Sequence, residues 1–149
     1  MEKLSEWRAG EVQLTYKRQD SNKDKVVSSQ GATTFLRSIY GDAIEHREMF
    51  IVLGLNRANE INSYYVAGVG GVSGTVADPK VIMQYLLLSN SVGCIVSHNH
   101  PSGNTRPSSQ DRRLTQTLSD ACKSLDIALL DHVILTAGSQ YSFADHDEI

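Results

Sequence analysis

Apolar and polar positions along the chain switch between two periods, and the switches predict the elements. Residues 11–16 place Val12, Leu14 and Tyr16 at every second position, the pattern of a half-buried strand. Residues 19–30 are polar with little periodicity and predict a linker. Residues 31–40 set Phe35, Leu36, Ile39 and Tyr40 at helical spacing, and Gly41 closes that helix. The apolar run 49–55 predicts a strand buried on both faces. A turn at 56–60 and the β-branched, tyrosine-rich run 61–69 make it the first arm of a hairpin. Gly68, Gly70, Gly71 and Gly74 lack the spacing of a dinucleotide fingerprint and predict a turn or bulge.

Asp78 and Pro79 start a helix with proline at its first position, and Val81, Ile82, Tyr85, Leu86 and Leu88 supply its buried face. Ser89 and Asn90 end it. Residues 92–97 predict a short apolar strand leading straight into His98, Asn99, His100 and Pro101. After a turn-rich loop, Ser108 or Ser109 caps a long helix with Leu114, Leu118, Ala121, Cys122 and Leu125 on one face. Residues 127–135 predict the last long strand, and 138–140 turn into 141–143. The order β-α-ββ-α-β-α-ββ predicts an α/β fold with a single mixed β-sheet flanked by helices. The expected division is an N-terminal strand and polar linker over 1–30, then one domain over 31–149.

Composition narrows the function classes. With 40% hydrophobic and 21% charged residues, wholesale disorder is excluded, and 149 residues suit one domain. A net charge of −3 argues against nucleic-acid binding by charge alone, because such binding comes from Lys and Arg neutralising phosphates. The local cluster Lys17, Arg18, Lys23 and Lys25 is interrupted by Asp20 and Asp24 and reads as a solvated loop. Cys94 and Cys122 lack C-x-x-C spacing, which fits a reducing compartment and excludes a cysteine-rich zinc finger. Glu2, Lys3, Glu6 and Arg8 make the start too polar for a signal peptide. No apolar run, 49–55 and 85–88 included, is long enough to cross a bilayer. A soluble, cytoplasmic protein without a membrane partner is expected.

The candidate chemistry lies in residues 97–111. Two histidines at i and i+2 leaving a strand face the same way, so His98 and His100 can hold one metal ion together. Asp111 sits one turn inside the next helix, where its carboxylate can reach back towards the strand. Two imidazoles and one carboxylate make a catalytic zinc site with one position open. A blander account competes. A lone H-x-H is a weak signal, Ser108-x-x-Asp111 can be only a helix capping box, and Asp111 gains from the positive helix end with or without a metal.

The joint spacing changes this balance. His98-x-His100, seven residues, Ser108, two residues and Asp111 resemble the JAMM motif of the JAB/MPN+ metallohydrolases. His98-Asn99-His100-Pro101-Ser102-Gly103, Arg106-Pro107-Ser108, Asp111, Leu130-Asp131-His132-Val133-Ile134 and Tyr141-Ser142-Phe143-Ala144-Asp145 resemble the RadC family within that group. The resemblance covers roughly residues 31–145 and departs from the family pattern at Asp147, where glycine is usual. It implies the JAB/MPN architecture, itself similar to that of cytidine deaminases. The family's upstream helix-hairpin-helix DNA-binding module is not expected in this sequence.

The resemblance further implies Zn2+ held by His98, His100 and Asp111, and a general base at Glu48, just before the apolar strand. Glu45 is the nearest competitor for that role and Glu60 the next. Ser108 would hydrogen-bond the oxyanion formed when water attacks a carbonyl. A serine nucleophile is disfavoured, since no G-x-S-x-G is present. Asp131 and His132 are read as core residues ahead of partners of the site, and His46 and His146 lack any supporting pattern. The implied activity is a zinc metallohydrolase cleaving a peptide or isopeptide amide in an unidentified peptide or protein substrate. The alternative is a DNA-repair or mobile-element accessory whose metal site is not peptidolytic, though charge does not support DNA association. A deaminase is disfavoured, because the P-C-x-x-C of that ligand set is absent.

Overall fold

The computed structural model describes residues 12, 13, 15, 29–70 and 77–149. Helix α1 (Ser29–Tyr40) ends at Gly41, whose φ of +50° is open to a residue without a Cβ; a 3-10 turn (Gly41–Glu45) follows. Strands β1 (Met49–Leu55) and β2 (Ile61–Val69) form the expected hairpin with the expected bounds. Phe50 pairs with Gly68 and Ile51 with Val66, so a register shift sits beside Gly68, where a bulge was expected. Helix α2 (Pro79–Leu88) carries proline in its first turn, and the Asp78 side chain caps it by accepting from Lys80 N–H at 2.9 Å. Then come β3 (Gly93–Asn99), α3 (Ser109–Ser124), β4 (Ala128–Leu135), β5 (Gln140–Ser142) and a final 3-10 turn (Ala144–His146).

The strands form one mixed sheet in the order β2-β1-β3-β4-β5, in which only β3 and β4 run parallel. Alternation along β1 and β3 feeds two cores. Ile51, Leu53, Leu55 and Ile95 meet Ala32, Leu36 and Tyr40 of α1 on one face. Phe50, Val52, Cys94 and Val96 meet Ile82 and Leu86 of α2 and Leu118 and Cys122 of α3 on the other. Both faces of β1 are covered, which is why its sequence is apolar without alternation. The result is an α/β fold with a single mixed sheet and three flanking helices, consistent with a JAB/MPN-like fold.

Several expectations change in detail. Leu88 and Leu125 are each 44% exposed, since each lies where its helix ends and turns away from the core. Strand β3 runs two residues past its expected end, because its ladder with β1 and β4 continues through His98 and Asn99. Val12, Gln13 and Thr15 are not in a strand, and Val12 is 83% exposed rather than turned into the core. The rest of that expected strand, the Lys17, Arg18, Lys23 and Lys25 cluster, and Gly71 and Gly74 lie outside the described residues. No helix among the described residues is long and apolar enough to cross a membrane.

Topology places the candidate chemistry at one end of the sheet. The parallel β3-α3-β4 unit lays the start of α3 over the carboxyl end of β3, where open α/β sheets bind ligands. Antiparallel pairing of β1 with β3 sets Phe50 opposite His98 and so carries the start of β1 to that same end. Leu55 pairs with Gly93 at the far end, which is where Glu60 belongs.

Candidate metal centre

His98 is buried on β3 with its ring stacked on Phe50, centroids 6.1 Å apart and planes 10° from parallel. His100 lies just beyond the strand, but its N–H still donates to Leu135 C=O at 2.9 Å, so the ladder holds its backbone. The two Nε2 atoms are 2.9 Å apart. His100 Nδ1 is 2.6 Å from Asn104 C=O. A carbonyl only accepts, so this contact puts the His100 proton on Nδ1 and leaves the Nε2 lone pair facing the centre.

Asp111 joins them from α3. Its Oδ1 is 3.2 Å from His98 Nε2 and its Oδ2 3.7 Å from His100 Nε2. The same carboxylate accepts from Ser108 N–H at 2.7 Å, while Ser108 Oγ accepts from Asp111 N–H at 3.0 Å. This is a reciprocal capping box, so the bland account of Asp111 is realised, and the same side chain also faces both histidines. Burial raises the Asp111 pKa, while the hydrogen bonds it accepts from Ser108, and any proton on the His98 nitrogen beside it, lower it; the balance holds the carboxyl below its usual range.

Glu48 approaches from the third side. One of its carboxylate oxygens and a ring nitrogen each from His98 and His100 lie within 4.8 Å of one another, a grouping able to hold a metal ion. Glu45 is exposed in the 3-10 turn and stands outside that group, and Glu60 accepts from Asn56 Nδ2 at 2.7 Å at the other end of the sheet. His46 is exposed, and His146 stacks on Tyr141 with Nδ1 2.8 Å from Ser142 C=O; neither joins the centre.

One feature escaped the sequence reading and a second was weighed there but ranked as core first. Asn99, between the histidines, points to the opposite face by strand alternation. Fully buried, it accepts from Met49 N–H at 2.7 Å and donates to Arg47 C=O at 2.7 Å and Ile44 C=O at 2.9 Å. It therefore clamps the backbone on both sides of Glu48. The signal available in sequence was an amide inside an apolar strand, which demands partners when buried.

The second is His132, which is a core residue and also a partner of the site. Its Nε2 lies 2.8 Å from His98 Nδ1, and its Nδ1 lies 2.6 Å from the Thr115 hydroxyl. Phe143 stacks on its ring at 4.7 Å. Burial, reinforced by the neighbouring His98, holds its pKa well below the ordinary histidine value. Asp131 beside it accepts from His132 N–H, Ser142 Oγ and Ala144 N–H and serves the C-terminal turn, as a core residue would. Asp147 adopts φ +55°, the left-handed conformation that glycine takes freely and aspartate tolerates.

At the carboxyl end of β3 His98 and His100 thus stand with Glu48 in a group able to hold a metal ion, and Asp111 reaches both histidines from α3 without being part of that group. Residues 26–148 match the model of a family described as RadC-like JAB domain. Among similar proteins, a UPF0758 protein of Flavobacterium johnsoniae is 38% identical over 121 residues, which is 81% of this chain and 52% of that protein. UPF0758 protein YfjY of Escherichia coli is 38% identical over 100 residues, 67% of this chain and 62% of that one. A UPF0758 protein of Streptococcus sanguinis is 31% identical over 127 residues, 85% of this chain and 55% of that one. The chain spans about half the length of the curated relatives it matches. Its fold, its convergent histidines and carboxylates, and a family match over most of its length agree: the chain belongs to the RadC-like JAB domain family.

Proposed function

We propose that the chain is a zinc-dependent hydrolase that cleaves a peptide or isopeptide amide in a peptide or protein substrate. One observation carries the reading. Two imidazole nitrogens 2.9 Å apart, one with its lone pair directed inward by Asn104, meet the Glu48 carboxylate within 4.8 Å and the Asp111 carboxylate at 3.2 and 3.7 Å. Negative and lone-pair donors so close together call for a cation. His98, His100 and Asp111 would hold it, because all three are anchored: the histidines by β3 and its ladder, Asp111 by the capping box. Zinc suits this mixed imidazole–carboxylate set and would supply a water acidified to a pKa of about 7 and polarise the substrate carbonyl.

The remaining work falls to the chain's own groups. The Glu48 side chain makes no hydrogen bond among the described residues, which suits it to take a proton from the attacking water and deliver it to the departing amine. Ser108 uses an oxygen lone pair in the helix cap, so its O–H proton remains available to the carbonyl oxygen as that atom gains charge. The direct test measures the metal content of the purified protein and its hydrolysis of a peptide library before and after chelation. About one zinc per chain, with hydrolysis lost on chelation and restored by zinc, is expected. Absence of zinc, or hydrolysis that survives complete chelation, would overturn the proposal.

Ser108 allows a sharper test, since two roles predict different losses. As the N-cap, Ser108→Ala should cost ~0.5–2 kcal/mol of stability. As an oxyanion donor its loss should also lower the catalytic constant by roughly 10²–10³-fold with zinc retained. Ser109→Ala, one residue inside the helix, should change neither. Normal turnover by a folded, zinc-loaded Ser108→Ala variant would reduce that serine to a cap.

A further inference from the structure

We infer that Thr115 and His132 are positioning residues that place the His98 proton on Nδ1, so that the Nε2 lone pair faces the centre before any metal arrives. The inference deepens the metal-site reading and rests on it. Neither residue touches the centre. Both act through His98, and each contact in the path has one consistent direction.

The path starts at a carbonyl. Thr115 Oγ1 lies 2.7 Å from Asp111 C=O, one helical turn back on α3, and only the threonine can donate there. That contact uses the single hydroxyl proton. The 2.6 Å contact between Thr115 Oγ1 and His132 Nδ1 must therefore be donated by the ring, which puts the His132 proton on Nδ1. The His132 ring is fully buried between Phe50 and Phe143, and among the described residues its nitrogens meet only Thr115 and His98. No carboxylate contact supports a second proton, so with one proton on Nδ1, His132 Nε2 accepts. Its partner at 2.8 Å, His98 Nδ1, then bears the proton, and His98 Nε2 is left with its lone pair towards His100 and Asp111. Asp111 thus meets His98 twice, by its carboxylate at the centre and by its main-chain carbonyl through Thr115 and His132.

The rings cannot easily trade places. His132 is fully buried, stacked on Phe143 and edge-on to Phe50, and His98 is stacked on the other part of Phe50. In the opposite arrangement His98 Nε2 would bear the proton and point it at the centre, where it would exclude a cation. That arrangement would also leave Thr115 Oγ1 and Asp111 C=O as two facing acceptors 2.7 Å apart with no proton between them. With the relay as inferred, the facing lone pairs are those of His98 and His100, which is where a cation removes the conflict.

The test pairs Thr115→Val, which keeps the branched shape and removes the hydroxyl, with Thr115→Ser, which restores it. Two readouts are used: zinc affinity by competition with a chromogenic chelator, and long-range nitrogen–proton spectra of the histidine rings in metal-free protein. In the native chain His98 is expected to carry its proton on Nδ1. Thr115→Val should move that proton to Nε2 and weaken zinc binding by about 10–100-fold, the scale of losing a group that orients a metal ligand. Thr115→Ser should recover both. A His98 proton on Nε2 in the native metal-free protein overturns the inference, and so does native zinc affinity in a folded Thr115→Val variant. The native spectrum decides the matter even if Thr115→Val fails to fold. A native chain with His98 protonated on Nδ1 that binds no zinc would overturn the metal reading while supporting the proton placement.

Discussion

Glu48→Gln is expected to lower hydrolysis by ~10²–10⁴-fold while zinc content stays unchanged, the loss associated with removing a general acid–base group. Glutamine matches glutamate in size and polarity but cannot take up or deliver a proton at neutral pH. The backbone around position 48 should hold its place, because Asn99 binds Arg47 C=O and Met49 N–H, and Gly70 N–H donates to Glu48 C=O at 2.8 Å. None of these contacts uses the Glu48 side chain. Metal should remain, since the anchored donors His98, His100 and Asp111 are untouched. Glu45→Gln is the control: that residue is exposed in the preceding turn and lies outside the cluster. Loss of turnover in Glu45→Gln with normal turnover in Glu48→Gln would show the wrong acid had been chosen.

His98→Ala and His100→Ala should each lose most of the bound zinc, and His46→Ala should lose none. The two ligand variants will differ in stability. His98→Ala opens a gap against Phe50 and strands His132 Nε2 in the core without its partner. An unsatisfied buried polar group of that kind costs about 1–3 kcal/mol. His100 sits at the open end of the strand, so His100→Ala removes a donor with little damage to the core and is the cleaner variant. Zinc content by atomic emission, read beside a thermal melt, separates loss of metal from loss of fold. Equal zinc in all three variants would end the assignment of the site to the H-x-H pair.

Local periodicity accounts for what was legible of the fold. The hairpin of β1 and β2 and the start of α2 at Pro79 were readable because adjacent residues settle them: a two-residue alternation or apolar run, a turn, a proline in the first helical turn. The end of β3 was not, since His98 and Asn99 are polar and extend the strand only because β1 and β4 lie on either side. Leu88 and Leu125 were assigned to buried faces by spacing that continues past the point where each helix leaves the core.

The same division runs through the site. His98, His100, Ser108 and Asp111 lie within one strand–loop–helix stretch, so their spacing alone marked them as a unit, and the capping box was visible beside it. Glu48 was reached by resemblance, and only the antiparallel pairing of β1 with β3 brings it to the histidines. The partners of Asn99 could not be read locally, Thr115 had no local mark, and His132 was weighed as a partner only behind a core role. Their decisive partners lie 50, 17 and 34 positions away, across the sheet or between sheet and helix. By itself the sequence determined the elements, the donor residues and their order along the chain, because these depend on neighbours a few positions apart. Only the tertiary structure decided which carboxylate stands beside the histidines, what clamps it and which partners the imidazole nitrogens meet, because these depend on which distant groups folding brings together.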